Sequence, residues 1–213
     1  PSIHLLLFVH RIRGLPSGLY FLVRNPSQEQ SIRQASKTEF IWQKPKNCSD
    51  SLNLYLLKEG NFQTLATQVS CNQDIAGQSA FSLGMIAYFS SNVKEPWRYR
   101  RLFWESGMVG QMLYLAAEYF GVRSTGIGCY FDDPVHEILG LKDNAFQSLY
   151  HFTVGGSVED TRLTTHTSYS WSCEAPAGRY PSRIGKSGIS ALREKVKLLN
   201  QQAVVDFEGK SLT

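Results

Sequence analysis

The sequence has no long apolar run, no paired cysteine motif and none of the common catalytic signatures. Each absence narrows the field. No hydrophobic stretch is long enough to cross a bilayer, so no membrane-spanning helix is expected. The five histidines, His4, His10, His136, His151 and His166, are scattered without HxH or HExxH spacing, which argues against a zinc site. There is no GxSxG elbow and no GxxxxGK(S/T) loop, so neither a hydrolase nucleophile turn nor a P-loop is expected. Gly126-Ile127-Gly128 lacks the third glycine of a Rossmann fingerprint and follows a helix into a strand, the reverse of the Rossmann order. The four cysteines, Cys48, Cys71, Cys129 and Cys173, form no CxxC pair, and no signal peptide precedes them. Reduced thiols in a cytoplasmic protein are therefore the expectation. The formal net charge is only +4, and its basic residues are dispersed apart from Arg98-Tyr99-Arg100-Arg101 and the C-terminal tail. No recognition motif accompanies that charge, so nucleic-acid binding is not expected.

What the chain does have is a single apolar centre. Its 213 residues, 42% of them hydrophobic, suit one globular domain. From Gly107 to Ala117 the one clearly polar residue is Gln111. A helix that is apolar all round is expected to be buried, in a core or at a subunit interface. Gly107 and Gly110 share a face where another backbone can come close. Gly121 stands where a left-handed C-cap belongs. A strand follows through Thr125, Ile127 and Cys129 to Phe131, interrupted by Gly126 and Gly128. Two glycines in a strand mark either a bulge or a close approach of backbone to a ligand, and spacing alone leaves both open.

The rest of the chain supplies strands and short helices. Ile3–Val9 is a continuous apolar run, as in a strand buried on both faces, and it begins almost at Pro1. That abrupt start suggests a piece of a longer chain. Leu15-Pro16-Ser17-Gly18 is a turn leading to a second strand through Tyr20–Val23, and the Ser17 hydroxyl is free to hold a polar ligand edge. Residues 25–37 are loop-like or weakly helical, and Leu52–Leu57 is either strand or helix. A helix is expected within residues 61–78, with Leu65, Ala66, Val69, Ile75 and Ala76 inward. Phe81–Phe89 and Leu149–Val154 are strands. Glu105 is placed to favour the positive end of the central helix dipole, and Asp132 and Asp133 are N-cap candidates before Pro134. From Thr164 the chain is rich in Ser, Thr, Gly and Pro until an amphipathic helix over about residues 188–203. The expected organisation is a domain over residues 1–163, short of its first elements, and an extension over 164–213. The fold class is α+β, with an antiparallel or mixed sheet flanked by helices around a long buried one.

The order of several motifs resembles a known family. Tyr99-Arg100, Glu105-Ser106-Gly107, Gln111, Leu113, Leu115, Ala117, Gly121 and Gly126-Ile127-Gly128 resemble the corresponding stretch of nitroreductase-like flavoproteins. The SagB-type, azoline-forming dehydrogenase branch is nearest in flavour, including versions with two such halves in one chain. Asp132-Asp133, Ile138-Leu139-Gly140-Leu141, the segment Tyr150–Gly156, and the turn Gly14–Tyr20 resemble further parts of that branch. The resemblance covers roughly residues 3–163. It implies an FMN-dependent oxidoreductase of dimeric or pseudo-dimeric build, with flavin held between two similar halves. Pro16, Ser17 and Gly18 would touch the flavin from one half. Gly126, Ile127 and Gly128 would present backbone to its reactive edge, Gln73 would reach its pyrimidine, and Arg162 would pair with the FMN phosphate. The partners implied are a small-molecule or peptide substrate, NAD(P)H as a candidate donor, and a second copy or half. The family's arginine- and serine-containing phosphate motif has no counterpart before the first strand. A non-catalytic partner half without flavin is therefore the alternative.

Overall fold

The structure is a computed structural model that describes residues 1–46, 48–89 and 95–157. Arg162 and the helix expected over about 188–203 lie outside the described residues. Six strands form one sheet: β1 (Ile3–Val9), β2 (Gly18–Leu22), β3 (Leu54–Glu59), β4 (Phe81–Tyr88), β5 (Arg123–Ile127) and β6 (Phe146–Gly155). Their order is β3-β2-β1-β4-β6-β5, and every neighbouring pair is antiparallel. Among the described residues five α-helices accompany them: α1 (Glu29–Ala35), α2 (Gln63–Val69), α3 (Asp74–Gln78), α4 (Tyr99–Tyr119) and α5 (Asp132–Leu139). This is the expected α+β class, with the sheet wholly antiparallel.

The apolar run of β1 follows from cover on both faces of the sheet. Leu6 and Phe8 point to one side, where Ile32 of α1, Ala66 and Val69 of α2, Ala76 of α3, and Val135 and Leu139 of α5 complete a core. Ile3 and Leu5 point to the other side, where Leu83, Met85 and Phe152 meet Leu102 and Ala117 of α4. A period of two along a strand thus feeds two cores. The ambiguous segment around Leu52–Leu57 is strand β3, because Gly18–Leu22 offers it a partner edge.

Several expectations are corrected. The helix expected within residues 61–78 is two short helices, broken at Cys71 and Asn72, whose φ values of 54° and 57° lie in the left-handed region. Ile75 faces outward, 40% exposed. Glu105 is not in the first turn of α4 but in its second. Its carboxylate accepts the Ser2 and Ile3 N–H groups and pairs with Arg24 at 2.7 Å. Burial alone would raise its pKa, but these donors outweigh it and hold the carboxyl below its ordinary value. Asp132 and Asp133 occupy the first turn of α5 rather than its N-cap, which is Phe131. Their charge still suits that end of the helix. Gly121 and Gly140 end α4 and α5 at φ 69° and 81°, as their positions imply.

The largest correction concerns α4. In this chain it is buried on one side only, through Leu102, Ser106, Gly110 and Ala117. Trp104, Met108, Met112 and Leu115 form an outward stripe, each more than half exposed. Gly107 and Gly110 do not act together: Gly110 packs on Tyr150 and Phe152, whereas a side chain at Gly107 would meet nothing within 4 Å.

Candidate functional site

A groove of about 300 Å³ lies between α4 and β6. Its walls are Phe103, Ser106, Gly107, Gly110, Gln111 and Tyr114 from α4, and Leu149 and Tyr150 from β6. The helical contribution repeats at three- and four-residue spacing, so one stripe of α4 faces the groove. Gly107 and Gly110 add no side chain to it, while Phe103, Tyr114 and Tyr150 bring aromatic rings, so the groove suits a flat, largely apolar group. No charged side chain is among these lining residues.

β5 borders the groove at the edge of the sheet. Its register against β6 is regular from Arg123↔Gly155 to Ile127↔His151, so Gly126 makes no bulge, and the strand ends before Gly128 rather than running to Phe131. Gly126 is required for another reason. A Cβ there would overlap the Tyr150 hydroxyl and lie 2.6 Å from Tyr150 Cζ. The Gly126 N–H donates to Tyr114 Oη at 2.8 Å. Two tyrosines from the groove therefore close over Gly126. Gly128 differs: it is exposed, and a side chain there would meet nothing within 4 Å. Ile127 points into the core.

Gln73 joins this edge. Its Nε2 donates to the carbonyls of Ser70 at 2.9 Å and Cys129 at 3.2 Å, which brings it beside Gly128. Pro16, Ser17 and Gly18 do not join it. β2 is separated from β5 by β1, β4 and β6, roughly 19 Å at ordinary strand spacing. That turn also has local duties. Ser17 Oγ, which the sequence left free for a ligand, donates to the His10 carbonyl at 2.9 Å. Tyr20 Oη donates to the Pro16 carbonyl at 2.7 Å, and burial pushes that phenol up to about 12. A Cβ at Gly18 would stand 2.7 Å from the Lys58 carbonyl.

Cys71 and Cys129 form a disulfide, which overturns the expectation of reduced thiols. Their Cα atoms are 5.7 Å apart, within normal bridging range. The pair escaped the spacing rules because 58 residues separate the two, and only the fold brings the α2–α3 loop to the end of β5. Cys48 is free and half-buried, and burial raises its thiol pKa. Beneath the disulfide lies His151, 1% exposed, stacked on Tyr130 at 4.5 Å and flanked by Ser70 Oγ and Ser148 Oγ. Burial lowers its pKa to about 4, so it is neutral at pH 7. Tyr114 was not picked out by sequence reasoning, although its spacing from Gly107 and Gly110 was a usable sign. Among the described residues no cluster of three metal-ligating side chains occurs and no helix is long and apolar enough to cross a membrane.

Comparison with known proteins supports the same fold. A solved structure described as a nitroreductase from Anabaena variabilis is 22% identical over 73% of this chain and 27% of its own, with a TM-score of 0.54. The Escherichia coli microcin synthetase McbBCD complex, solved with truncated pro-MccB17 bound, is 17% identical over 75% and 53% of the respective chains, with a TM-score of 0.50. The NADPH:FMN oxidoreductase of Vibrio harveyi, solved with NAD+, matches more loosely, at 16% identity over 90% and 81% of the chains and a TM-score of 0.41. The chain thus spans about a quarter and about half of the first two structures. No functionally curated protein shows significant similarity. The nitroreductase family model matches residues 20–156, well over half of the chain, and the chain therefore belongs to the nitroreductase family.

Proposed function

We propose that this chain is one half of an FMN-dependent oxidoreductase of the nitroreductase class, with the flavin ring in the α4–β6 groove and a second similar half completing the site. The observation that carries the reading is the groove itself, with apolar and aromatic walls and two glycines that add no side chain to it; the open backbone of Gly128 lies two residues beyond Gly126, which both groove tyrosines touch. When bound, FMN supplies hydride or two-electron transfer; the protein supplies position. Phe103, Tyr114 and Tyr150 would flank the ring, and the backbone at Gly128 with the Gln73 amide oxygen would offer it polar partners. No acid or base side chain is assigned. The groove has no cation for the phosphate, a role left to Arg162 or to the second half. Pro16, Ser17 and Gly18 lie too far along the sheet to share this groove, so they would contact flavin held by the other half. The SagB-type branch, a cytoplasmic setting and NAD(P)H as donor belong to the same proposal. A peptide azoline is the alternative donor, and a nitroaromatic, a quinone or oxygen the acceptor.

One observation favours a second reading, a partner half without flavin of its own. The Gly126 N–H, the natural donor to a flavin edge, is already taken by the Tyr114 hydroxyl. Titration of the chain with FMN, followed by flavin fluorescence, separates the two. The flavin reading expects saturable binding, weakened at least about tenfold by Gly128→Val, which fills open space without disturbing packing. Arg162→Ala should weaken FMN far more than riboflavin, since only FMN carries the phosphate. No binding supports the partner-half reading, and binding indifferent to Gly128→Val overturns the placement of the flavin beside Gly128.

A further inference from the structure

Two segments distant in sequence are clasped together beside the groove. One is the end of α2 with the α2–α3 loop, residues 69–73; the other is the chain leaving β5, residues 128–131. Three links join them: the Cys71–Cys129 disulfide, Gln73 Nε2 donating to the Cys129 carbonyl at 3.2 Å, and the Phe131 N–H donating to the Val69 carbonyl at 2.8 Å. The residues next to each cysteine cover His151. Ser70 Oγ lies 3.4 Å from its Nδ1, and the Tyr130 ring stacks on it with only 13° between planes. The clasp itself is accessible, with Cys129 exposed and Cys71 half-buried. It also holds Cys71 and Asn72 at φ 54° and 57°. Asparagine tolerates that left-handed conformation, but cysteine does not favour it, so backbone that would relax on release is held in place by the crosslink.

We infer that Cys71–Cys129 is a reversible thiol–disulfide switch, whose reduction by an external dithiol frees residues 128–131 from the α2–α3 loop and uncovers His151. A thiolate of the dithiol attacks the sulfur of Cys129, the more exposed of the two residues, the S–S bond breaks, and Cys71 leaves as thiolate. The second thiol of the reagent then displaces Cys129. The reagent departs as its own disulfide, having given two electrons, and both cysteines end as thiols after protonation. Two hydrogen bonds then remain between the segments at a sheet edge, where local opening is easy. The site acted on is next to Gly128, yet the inference does not depend on flavin.

The test uses the full chain in dithiothreitol buffers of graded redox poise, read by cysteine alkylation and by hydrogen exchange with mass spectrometry. The switch predicts that Cys71 and Cys129 resist alkylation until reduced. Amides of residues 70–73 and 128–132 should then exchange at least about tenfold faster while those of β1 and β4 stay protected. The double variant C71S/C129S should show the fast pattern in every buffer. Three results would overturn it: alkylation of both cysteines before reduction, unchanged exchange after reduction, or reduction only together with exposure of β1 and β4. A protein that binds no flavin would remove the functional reading above and leave this outcome as it stands.

Discussion

At Gly126 the missing side chain makes room for Tyr150, and that can be measured. Gly126→Ala forces the tyrosine ring aside and should cost about 1–3 kcal/mol in denaturant unfolding. Gly128→Ala, two residues on in open space, should change stability by less than about 0.5 kcal/mol. Equal costs would mean that the close approach is not real. The sequence marked both glycines as special but could not separate them, because the distinction lies in a side chain 24 residues away. His151 makes a second residue-scale prediction. Its folded pKa of about 4 is below the ordinary value of 6.5, so between these limits the unfolded chain binds a proton that the folded chain does not. Stability is therefore fully present above pH 6.5 and falls as pH drops towards 4, by up to roughly 3 kcal/mol from this residue. His4 and His10, also lowered by burial, add in the same direction. Unfolding curves at pH 7, 5.5 and 4 check the slope; a flat profile would contradict a neutral buried His151. Nothing in the spacing of the five histidines signalled which would be buried.

At the scale of elements, α4 is the informative case. Its apolar composition was legible, and so were its Gly121 stop and its central place. Composition could not tell core from interface. In the chain by itself the inner side packs on the sheet and the Trp104-Met108-Met112-Leu115 stripe is left open to solvent. An apolar stripe at that spacing fits a helix–helix seam with a second copy or half. The double substitution M108E/M112E should leave unfolding of the chain within about 1 kcal/mol, since both side chains are exposed. It should weaken self-association at least about 100-fold in sedimentation, because like charges would face each other across the seam. Unchanged association would move any interface elsewhere. The short helices α2 and α3 were less legible than the strands. Their break rests on left-handed backbone at Cys71 and Asn72, which no glycine announced.

For the whole molecule, the order of motifs carried more than any one of them. Turns, strands and the glycine-marked edge fixed an α+β reading, and the family assignment over residues 20–156 agrees with it. The parts of the proposed site were legible to different degrees. Gln73 does lie beside Gly128, by way of Cys129. The Pro16-Ser17-Gly18 turn stands four strands away, so a site using both turns requires two halves. Spacing along one chain could not reveal that distance, since it follows from the strand order of the folded sheet. The most direct test of the flavin-between-halves account is the visible absorption spectrum of the purified chain after incubation with FMN and removal of free ligand, recorded across its separated oligomeric states. The account predicts flavin absorption in the fraction where two halves are joined and heat release of intact FMN from it. A paired fraction that remains colourless would contradict it.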